Sequence, residues 1–311
     1  MRALAAVALV VLLAAMHAYA SPRVSVRCEA YQGRPGCFRI SNGKVSLVVA
    51  PSIGRIVYYG PAAGPNLLWE QASLRSKTVP LAQGRKEWTN FGGDKLWPAP
   101  QSKWNWPPDP SLDGIGHTAT ALKGGSVRLV SAASPVSGIR FERIITMNPA
   151  DGSVVIRNTM LNTSDQDVEW SVWEVAQVAE PRCCEMPVVA SAGLPKGWTA
   201  IGPNVPQPGY LDVRPGRVRL RRNPAKAAKI GGRSPSGLVR ARIGAWELTL
   251  HARIQAEGGY PDGGCPQEVF SSPDPLKYME LELLGPVRLL QPGDSQTLTT
   301  TWSLRRAASG Q

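Results

Sequence analysis

The sequence contains few of the residues that mark several large classes of protein. Of its 311 residues only 19% are charged, three are His and four are Phe. No apolar run in the body of the chain approaches the roughly 18 residues that a membrane-spanning helix needs. Cys-x-x-Cys pairs and His at ligand spacing are lacking, so we expect no metal and no cofactor. Together with the scattered positions of Gly and Pro, this composition argues against a coiled coil, a disordered chain and a collagen-like fibre.

Glycine and proline, in contrast, are abundant and spread along the whole chain. The 31 Gly and 28 Pro would interrupt long helices repeatedly, whereas short strands joined by turns tolerate them. Apolar residues make up 43% of the chain, which is enough for a large core. The composition therefore predicts an all-β protein, and one large sandwich or two fused sandwiches both fit its length.

The first twenty residues have the features of a secretory signal peptide. Arg2 supplies a positive charge, Ala3 to Ala15 form an apolar core, and Ala18 and Ala20 put small residues where a signal peptidase reads them. We predict cleavage after Ala20 and a periplasmic or secreted mature protein without stable membrane insertion. The alternative is an uncleaved anchor, for which the apolar run is short. The rest of the chain divides into an N-terminal segment at 21–37, a single domain at 38–305 and a tail at 306–311.

Export would place the five Cys in a compartment where disulfides persist. Cys28 and Cys37 flank a stretch that contains Gly and Pro, and this spacing lets a short loop fold back on itself. We predict a disulfide between Cys28 and Cys37. One of the adjacent Cys183 and Cys184 is expected to bridge to Cys265, which would leave one free thiol.

Hydrophobic residues alternate with polar ones along most of the chain. Val45, Leu47 and Val49 show this alternation directly after Asn42-Gly43, a pair that is favoured in tight hairpin turns. The same period of two predicts further strands at 53–59, 119–130, 139–147, 154–160, 168–178, 217–220, 238–243, 246–254, 278–284 and 297–304.

Two stretches interrupt this pattern. Residues 84–118, here called the aromatic loop, contain four Trp and five Pro, and no strand of ordinary length passes through so many prolines. We predict a long, stiff loop there and a second irregular segment at 181–210. Sheets assembled from strands on both sides of these segments are expected rather than two independent domains.

The chain carries a net charge of +12, and much of the excess falls between Arg214 and Arg242. For an exported protein this balance favours an anionic polysaccharide or an envelope surface over nucleic acid, so we expect no nucleic-acid partner. The alternative is a solvated strand face, because Arg217, Arg219 and Arg221 alternate with apolar residues. The sequence leaves the oligomeric state open.

The aromatic loop has the side chains of a carbohydrate site. An indole offers a flat apolar face and an N–H donor at its edge, which suits the ring and the hydroxyl groups of a sugar. The candidate ligand-binding residues in the loop are Trp97, Trp104, Trp106, Asp94, Lys95, Gln101 and Asp113. The alternative is that the indoles only pack the loop onto the sandwich.

Several blocks of residues resemble known families. SNGKV at 41–45, PSIGRI at 51–56 and NLLW at 66–69 resemble the opening of galactose-mutarotase-like β-supersandwich domains. FGGDKLWPAPQ at 91–101, YPDGGC at 260–265 and ELELLGP at 280–286 resemble more narrowly a bacterial set, domain-of-unknown-function family 4380. The resemblance implies a supersandwich of antiparallel sheets and a connection with carbohydrates. Arg55, in the second block, joins the candidate ligand-binding residues.

The resemblance also implies an acid and a base. In the sugar mutarotases that share this fold, a late carboxylate deprotonates the anomeric hydroxyl and a histidine protonates the ring oxygen. Glu268 resembles that base by its position, and His117 is the available acid, since an ordinary His pKa of ~6.5 suits proton exchange near neutrality. His251 is interpreted as structural. Glu280 and Glu282 share one strand face, as an inverting glycosidase pair or an ordinary polar face would.

Three functions are compatible with these residues. The first is an exported protein that binds a neutral or anionic saccharide between the aromatic loop and the strand of Glu268. The second is an aldose 1-epimerase-like isomerase that uses Glu268 and His117. The third is a structural envelope protein without a ligand, whose tryptophans all pack in the core.

Overall fold

The computed structural model describes residues 23–255 and 259–307, and within these ranges the chain is built almost entirely of β-strands. In chain order the strands are β1 (Ser25–Tyr31), β2 (Arg34–Ser41), β3 (Val45–Ala50), β4 (Arg55–Pro61), β5 (Asp94–Ala99), β6 (Thr118–Leu122), β7 (Ser126–Val130), β8 (Ile139–Met147), β9 (Val154–Asn162), β10 (Val168–Ala179), β11 (Cys183–Pro187), β12 (Trp198–Ala200), β13 (Leu211–Arg214), β14 (Arg217–Leu220), β15 (Ala228–Gly232), β16 (Leu238–Ile243), β17 (Trp246–Ala252), β18 (Gln267–Ser271), β19 (Tyr278–Leu284), β20 (Arg288–Leu290) and β21 (Ser295–Arg306). The helical pieces are α1 (Leu81–Gly84), α2 (Pro261–Gly264) and the 3-10 turns Pro51–Ile53, Ala72–Leu74 and Gln101–Lys103.

The strands form two antiparallel sheets that pack face to face. The first sheet has the order β1-β2-β3-β4-β5-β10-β19-β18-β15-β12, with β20 paired to β10. The second has the order β13-β14-β11-β16-β17-β21-β9-β8-β7-β6. One apolar core lies between them, and both sheets contribute to it, for example Leu47 and Leu281 from the first and Phe141 and Trp302 from the second. The predicted all-β fold is therefore confirmed as a sandwich.

Local sequence explains why these strands form where they do. In β8 every second side chain is buried, from Ile139 to Met147, and the residues between them are half-buried, as the period of two predicts. The predicted hairpin turn is also present: the Asn42 side chain accepts hydrogen bonds from the backbone N–H groups of Lys44 and Val45. Gly43 has a φ of 85°, which a residue without Cβ adopts at low cost.

The aromatic loop contains a strand, so the prediction that prolines exclude one there is wrong. β5 carries Pro98 and lies between β4 and β10 in the first sheet. It pairs with β10 along its whole length but with β4 only between Ile56 and Asp94. Beyond Asp94 the strand is paired with β10 but not with β4. Pro98 therefore interrupts no hydrogen-bond ladder on the β4 side, and strands tolerate proline at such unpaired edges.

The segment 181–210 is also less irregular than predicted. β11 lies inside the second sheet between β14 and β16, and β12 closes the edge of the first sheet. The predicted signal peptide falls outside the described residues. Among the residues that are described, no helix is long and apolar enough to cross a membrane.

A buried ion-pair network joins the two sheets. Arg143 of β8 places Nη2 2.5 Å from Asp94 Oδ1 and 3.1 Å from Glu174 Oε1, both carboxylates of the first sheet. Arg143 Nε also donates to Asn158, and the Thr300 hydroxyl donates to Glu174. Burial raises the pKa of Asp94 and raises that of Glu174 to about 8, against the lowering effect of Arg143. The guanidinium therefore compensates two carboxyl groups that are cut off from water.

Replacing Arg143 should be strongly destabilising. In R143L two buried carboxyl groups lose their cation, and breaking a buried pair in this way costs about 3–5 kcal/mol of unfolding free energy. Urea unfolding at pH 8 should show this loss, and the loss should shrink at pH 5, where the stranded carboxyls take up protons. The matched control is R128Q, which breaks the exposed pair of Arg128 with Glu142 and should leave the unfolding midpoint near that of the wild type. An R143L midpoint equal to that of R128Q would contradict the prediction.

Candidate functional site

The candidate site lies on the outer face of the first sheet, the face turned away from the second sheet. Residues directly opposite each other on neighbouring strands share a face. Lys95 of β5 is opposite Val175, Val175 is opposite Glu282, and Glu282 is opposite Glu268. Trp97 lies in the adjacent row. Long-range strand pairing therefore brings Trp97, Lys95 and Glu268 onto one face.

Asp94 does not belong to this face. It precedes Lys95 in the same strand, so its side chain points to the opposite side, where it pairs with Arg143. This predicted ligand-binding residue is completely buried between the sheets. Its observed partner gives it a structural role.

A lysine lies between two carboxylates on the outer face, near the edge of the first sheet formed by β12. Lys229 of β15 places Nζ 2.7 Å from Glu268 Oε2 and 2.9 Å from Glu282 Oε2, and both glutamates are completely buried. Burial raises the pKa of Glu268 and of Glu282, against the opposing effect of Lys229. Desolvation lowers the pKa of Lys229, but the two carboxylates outweigh it and raise that pKa. We call Lys229, Glu268 and Glu282 the lysine–carboxylate cluster.

Indoles connect this cluster to the aromatic loop. Trp173 Nε1 donates to Glu282 Oε2 over 2.7 Å, and Lys229 Nζ lies 4.5 Å from the centre of the Trp173 ring. Trp173 in turn packs edge-on against Trp97, with ring centroids 5.2 Å apart. Trp97 is only 5% exposed, so the outer face is filled with side chains at this point.

Lys95 is held within the same face by a second carboxylate. Its Nζ lies 3.2 Å from Glu280 Oε1, which also accepts a hydrogen bond from Gln177 Nε2 at 3.0 Å. The ammonium group lies 4.8 Å from the centre of the Trp97 ring, within cation–π range. Burial lowers the pKa of Lys95. Glu280 thus forms an ion pair with Lys95, and Glu282 forms one with Lys229. These ion pairs explain why both carboxylates are present on this face, so no hydrolytic role is needed to explain them.

Arg55 and Asp113 fix the aromatic loop to the sheet. Arg55 Nη2 lies 2.5 Å from Asp113 Oδ1, and Arg55 Nη1 donates to the Gly92 carbonyl. The other oxygen of Asp113 accepts hydrogen bonds from the Nε1 atoms of Trp88 and Trp97, each at 2.9 Å. Both charged groups are buried. In the structure these two predicted ligand-binding residues therefore anchor the loop.

His117 lies far from Glu268. Its ring packs on Gly54, where a Cβ would come within 2.4 Å of His117 Cε1, and Gly54 also has a φ of 66°. Gly54 directly precedes β4, and four strand spacings separate β4 from β18, which is roughly 19 Å along the sheet. Burial lowers the pKa of His117 to about 4. The structure does not bring the predicted acid and base together.

Three tryptophans of the aromatic loop line a cavity of about 440 Å³ together with Trp170 of β10. This tryptophan cavity is formed by Trp97, Trp104, Trp106 and Trp170. Trp104 and Trp106 lie nearly parallel, with centroids 6.4 Å apart. Trp106 is 54% exposed, in contrast to Trp97.

Polar groups surround the indoles of the tryptophan cavity. Arg85, Lys103, Asn105 and Asp109 are part of its lining, and the ammonium group of Lys103 lies 2.5 Å from Glu169 Oε2 at the edge. Gln101 is exposed in the neighbouring 3-10 turn and does not contribute to the lining. The cavity thus combines flat apolar walls with several hydrogen-bonding groups.

Both disulfide predictions are wrong in this structure, where all five cysteines are free. Cys28 is opposite Phe38, and Cys37 is opposite Glu29, so the two cysteines point to different faces of the sheet. Cys28 is exposed and Cys37 is buried. Cys265 lies against Gly231 in the first sheet, whereas Cys183 and Cys184 belong to the second sheet, so no bridge joins them.

Sequence reasoning missed Trp170, Trp173, Gln177 and Lys229. The first three lie in β10, which was predicted as a strand, but its neighbours were unknown. The tryptophans at 170 and 173 were the available signal. Tryptophan is a rare residue, so a second group of tryptophans could have been expected to pack against those of the aromatic loop. Lys229 lies in β15, a strand with two glycines and no marked alternation.

Among the described residues, no group of His, Cys, Asp and Glu has the geometry of a metal site. The carboxylates of the outer face are instead paired with lysines. This face is arranged for ion pairing and aromatic packing.

His117 should remain neutral through the physiological pH range. Its pKa is lowered from about 6.5 to about 4, so the unfolded chain binds the proton more readily. The shift therefore leaves the free energy of unfolding unchanged above pH 6.5 and lowers it as the pH falls towards 4, because unfolding then takes up a proton. NMR titration of the imidazole, assigned with the H117Q variant, should give a midpoint near 4. A midpoint near 6.5 would contradict the prediction.

Comparison with known proteins relates the sequence to a family. The model of the family described as domain of unknown function (DUF4380) matches residues 37–195, slightly more than half of the chain. No curated protein matches the sequence.

Solved structures share the fold at low sequence identity. A galactose mutarotase-like protein from Clostridium acetobutylicum is 8% identical, with a TM-score of 0.60 over 92% of this chain and 99% of that one. One from Lactobacillus casei is 10% identical, with a TM-score of 0.58 over 87% and 100% of the two chains. A galactose mutarotase related enzyme from Lactobacillus acidophilus is 7% identical, with a TM-score of 0.57 over 88% and 98%. These likenesses show the fold, and they confirm the predicted galactose-mutarotase-like architecture.

Proposed function

The chain belongs to the DUF4380 family, and we propose that this member binds a saccharide in its tryptophan cavity. The observation that carries the proposal is the exposure of Trp106. More than half of its surface is open to solvent, although it stands among three other indoles at a cavity of about 440 Å³. Packing of the loop does not require this exposure, and the volume lies in the range of small-molecule sites.

The chemistry of the cavity suits a sugar. The nearly parallel rings of Trp104 and Trp106 offer apolar surfaces to the C–H groups of a pyranose. Arg85, Lys103, Asn105 and Asp109 supply donors and acceptors for hydroxyl groups. Trp104 Nε1 already donates to the Pro98 carbonyl, which holds this ring in place before a ligand binds.

The alternative that the indoles only pack the loop accounts for some of them. Trp97 is buried, and both Trp88 and Trp97 donate to Asp113, so these two hold the aromatic loop on the sheet. Trp106 has no such bond among the hydrogen bonds of the described residues and remains exposed. Trp88 and Trp97 therefore pack the loop onto the sheet, whereas Trp106 is exposed at the surface. The saccharide proposal rests on Trp106.

The geometry supports binding rather than isomerisation. Ring opening requires an acid and a base on the same substrate. Glu268 is completely buried beside Lys229, about four strand spacings from His117, and neither residue lines the tryptophan cavity. A neutral His117 with a pKa of about 4 would also be a poor proton donor near neutrality. We therefore propose a binding protein, or an accessory to an enzyme.

Removing the Trp106 ring should weaken saccharide binding. W106A takes away an exposed aromatic surface without opening the core, so folding should be unaffected and affinity should fall at least about tenfold, or ~1.4 kcal/mol. Glycan arrays would identify a ligand among neutral and anionic oligosaccharides, and calorimetry would give the dissociation constants.

Two variants make this test specific. W106F keeps an aromatic face and should retain most of the affinity. W246F alters a tryptophan of the second sheet, outside the cavity lining, and should bind as the wild type does. Absence of binding to every glycan, or equal affinity in W106A and W246F, would refute the proposal.

We propose further that the protein is exported and cleaved after Ala20. The support is the sequence itself, in which an apolar core precedes small residues at Ala18 and Ala20. Expressed in a Gram-negative host, the protein should be recovered from the periplasm or medium with Ser21 as its first residue in N-terminal sequencing. A20L should block cleavage, whereas S21A should not. Wild-type protein that keeps its first residues in the cytoplasmic fraction would contradict the proposal.

A further inference from the structure

A second cavity, of about 480 Å³, opens on the second sheet and is lined by arginines. Its five guanidinium groups belong to Arg182, Arg214, Arg219, Arg221 and Arg242, and we call it the arginine pocket. None of its lining residues lines the tryptophan cavity. The two cavities are therefore separate sites.

Strand pairing explains why these arginines converge. Arg242 of β16 is opposite Cys183 at the start of β11, and Arg219 of β14 is opposite Asp212 of β13. Val218 and Leu220, the neighbours of Arg219, are completely buried in the core, so Arg219 projects from the outer face of the sheet. The strands β13, β14 and β16 thus each contribute an arginine to the arginine pocket at the edge of the second sheet.

The pocket contains more positive than negative charge. Asp212 is the single carboxylate in its lining, and it accepts from Arg214 Nε at 3.0 Å. Glu185 lies beside the pocket and contacts Arg219 at 2.9 Å, but it also lies 3.0 Å from Arg240 and 3.8 Å from Arg217. Glu247 lies 4.0 Å from Arg242 Nε and also contacts Arg305. Five guanidinium groups beside these three carboxylates leave an excess of positive charge, which attracts anions.

The existing contacts also orient the guanidinium groups. Arg219 donates to Glu185 through both Nε and Nη2, and Arg221 Nη2 donates to the Gly209 carbonyl. A guanidinium that is held at one edge can still donate from its other N–H groups, since it carries five of them. Burial raises the pKa of the Cys183 thiol at the pocket wall, so this group adds no negative charge near neutrality.

We propose that the arginine pocket binds an oxyanion, namely a carboxylate, sulfate or phosphate group. Paired N–H donors of arginine match the two oxygens of such groups, and several guanidinium groups around one cavity strengthen the effect. A solvated strand face accounts for the alternation of Arg217 and Arg219. It does not account for a cavity in which Arg182 and Arg242, from other segments, lie beside Arg219.

The test uses the full-length protein and calorimetry at low salt. Inorganic phosphate, inorganic sulfate and trigalacturonate are titrated separately, with uncharged galactotriose as the control ligand. At least one anion should bind, and its affinity should fall as sodium chloride is raised, because salt screens the arginine charges. Galactotriose should not compete with it. Tighter binding of trigalacturonate than of phosphate or sulfate, measured in W106A so that the tryptophan cavity does not contribute, would identify an anionic saccharide as the source of the oxyanion. The reverse order would identify a phosphate- or sulfate-bearing ligand.

A double variant links the binding to the pocket. Arg214 and Arg221 are exposed, so R214Q/R221Q should fold normally and bind the anion at least tenfold more weakly. R27Q/R157Q removes the same charge from two exposed arginines on other strands and should change affinity less than twofold. W106A should bind phosphate or sulfate as the wild type does, which separates this result from the saccharide proposal. Binding of none of the three anions, or an equal loss in both double variants, would overturn the inference.

Discussion

Arg143 carries the interaction on which the arrangement of the two sheets depends. It reaches from the second sheet to Asp94 and Glu174 of the first, and these carboxylates are cut off from water. Two unpaired buried carboxylates would be very costly, so the sheets are constrained to a relative position in which the guanidinium lies between them. Because side chains alternate along a strand, the neighbours of Asp94 and Glu174 in β5 and β10 then lie on the outer face.

The outer face of the first sheet repeats the same principle with lysines. Lys229 lies between Glu268 and Glu282, and Lys95 contacts Glu280. Indoles of Trp97 and Trp173 cover these pairs and exclude water, which strengthens the attraction between the charges. The face is consequently occupied by the protein's own side chains, and open space remains at its margin, where Trp106 stands.

The two proposed sites differ in chemistry because they occupy different parts of the sandwich. The tryptophan cavity lies where a proline-rich loop is anchored to a sheet by Arg55 and Asp113, so its walls are aromatic and rigid. The arginine pocket lies at an edge of the second sheet, where short strands expose basic residues to solvent. A ligand that carries both a sugar ring and an acidic group has chemistry suited to either site, but no described residue is common to both linings.

Local patterns in the sequence determined much of the fold. The period of two located most strands, including β8 and β9, and the pair Asn42-Gly43 located a hairpin turn. Both features could be predicted because they depend on residues that are close in the chain. The concentration of indoles in residues 84–118 likewise indicated the tryptophan cavity, since three of its four tryptophans lie in that segment.

Only the tertiary structure decided which of these residues meet. Asp94 and Lys95 are adjacent in sequence but point to opposite faces, and Cys28 and Cys37 lie on paired strands but one residue out of register. Pro98 can lie in β5 because β5 pairs along its whole length with β10 only. His117 lies four strand spacings from Glu268 along the first sheet. The physical reason is the same in each case. Strand order and register are set by pairing between distant segments, and a change of one residue in register moves a side chain to the other face.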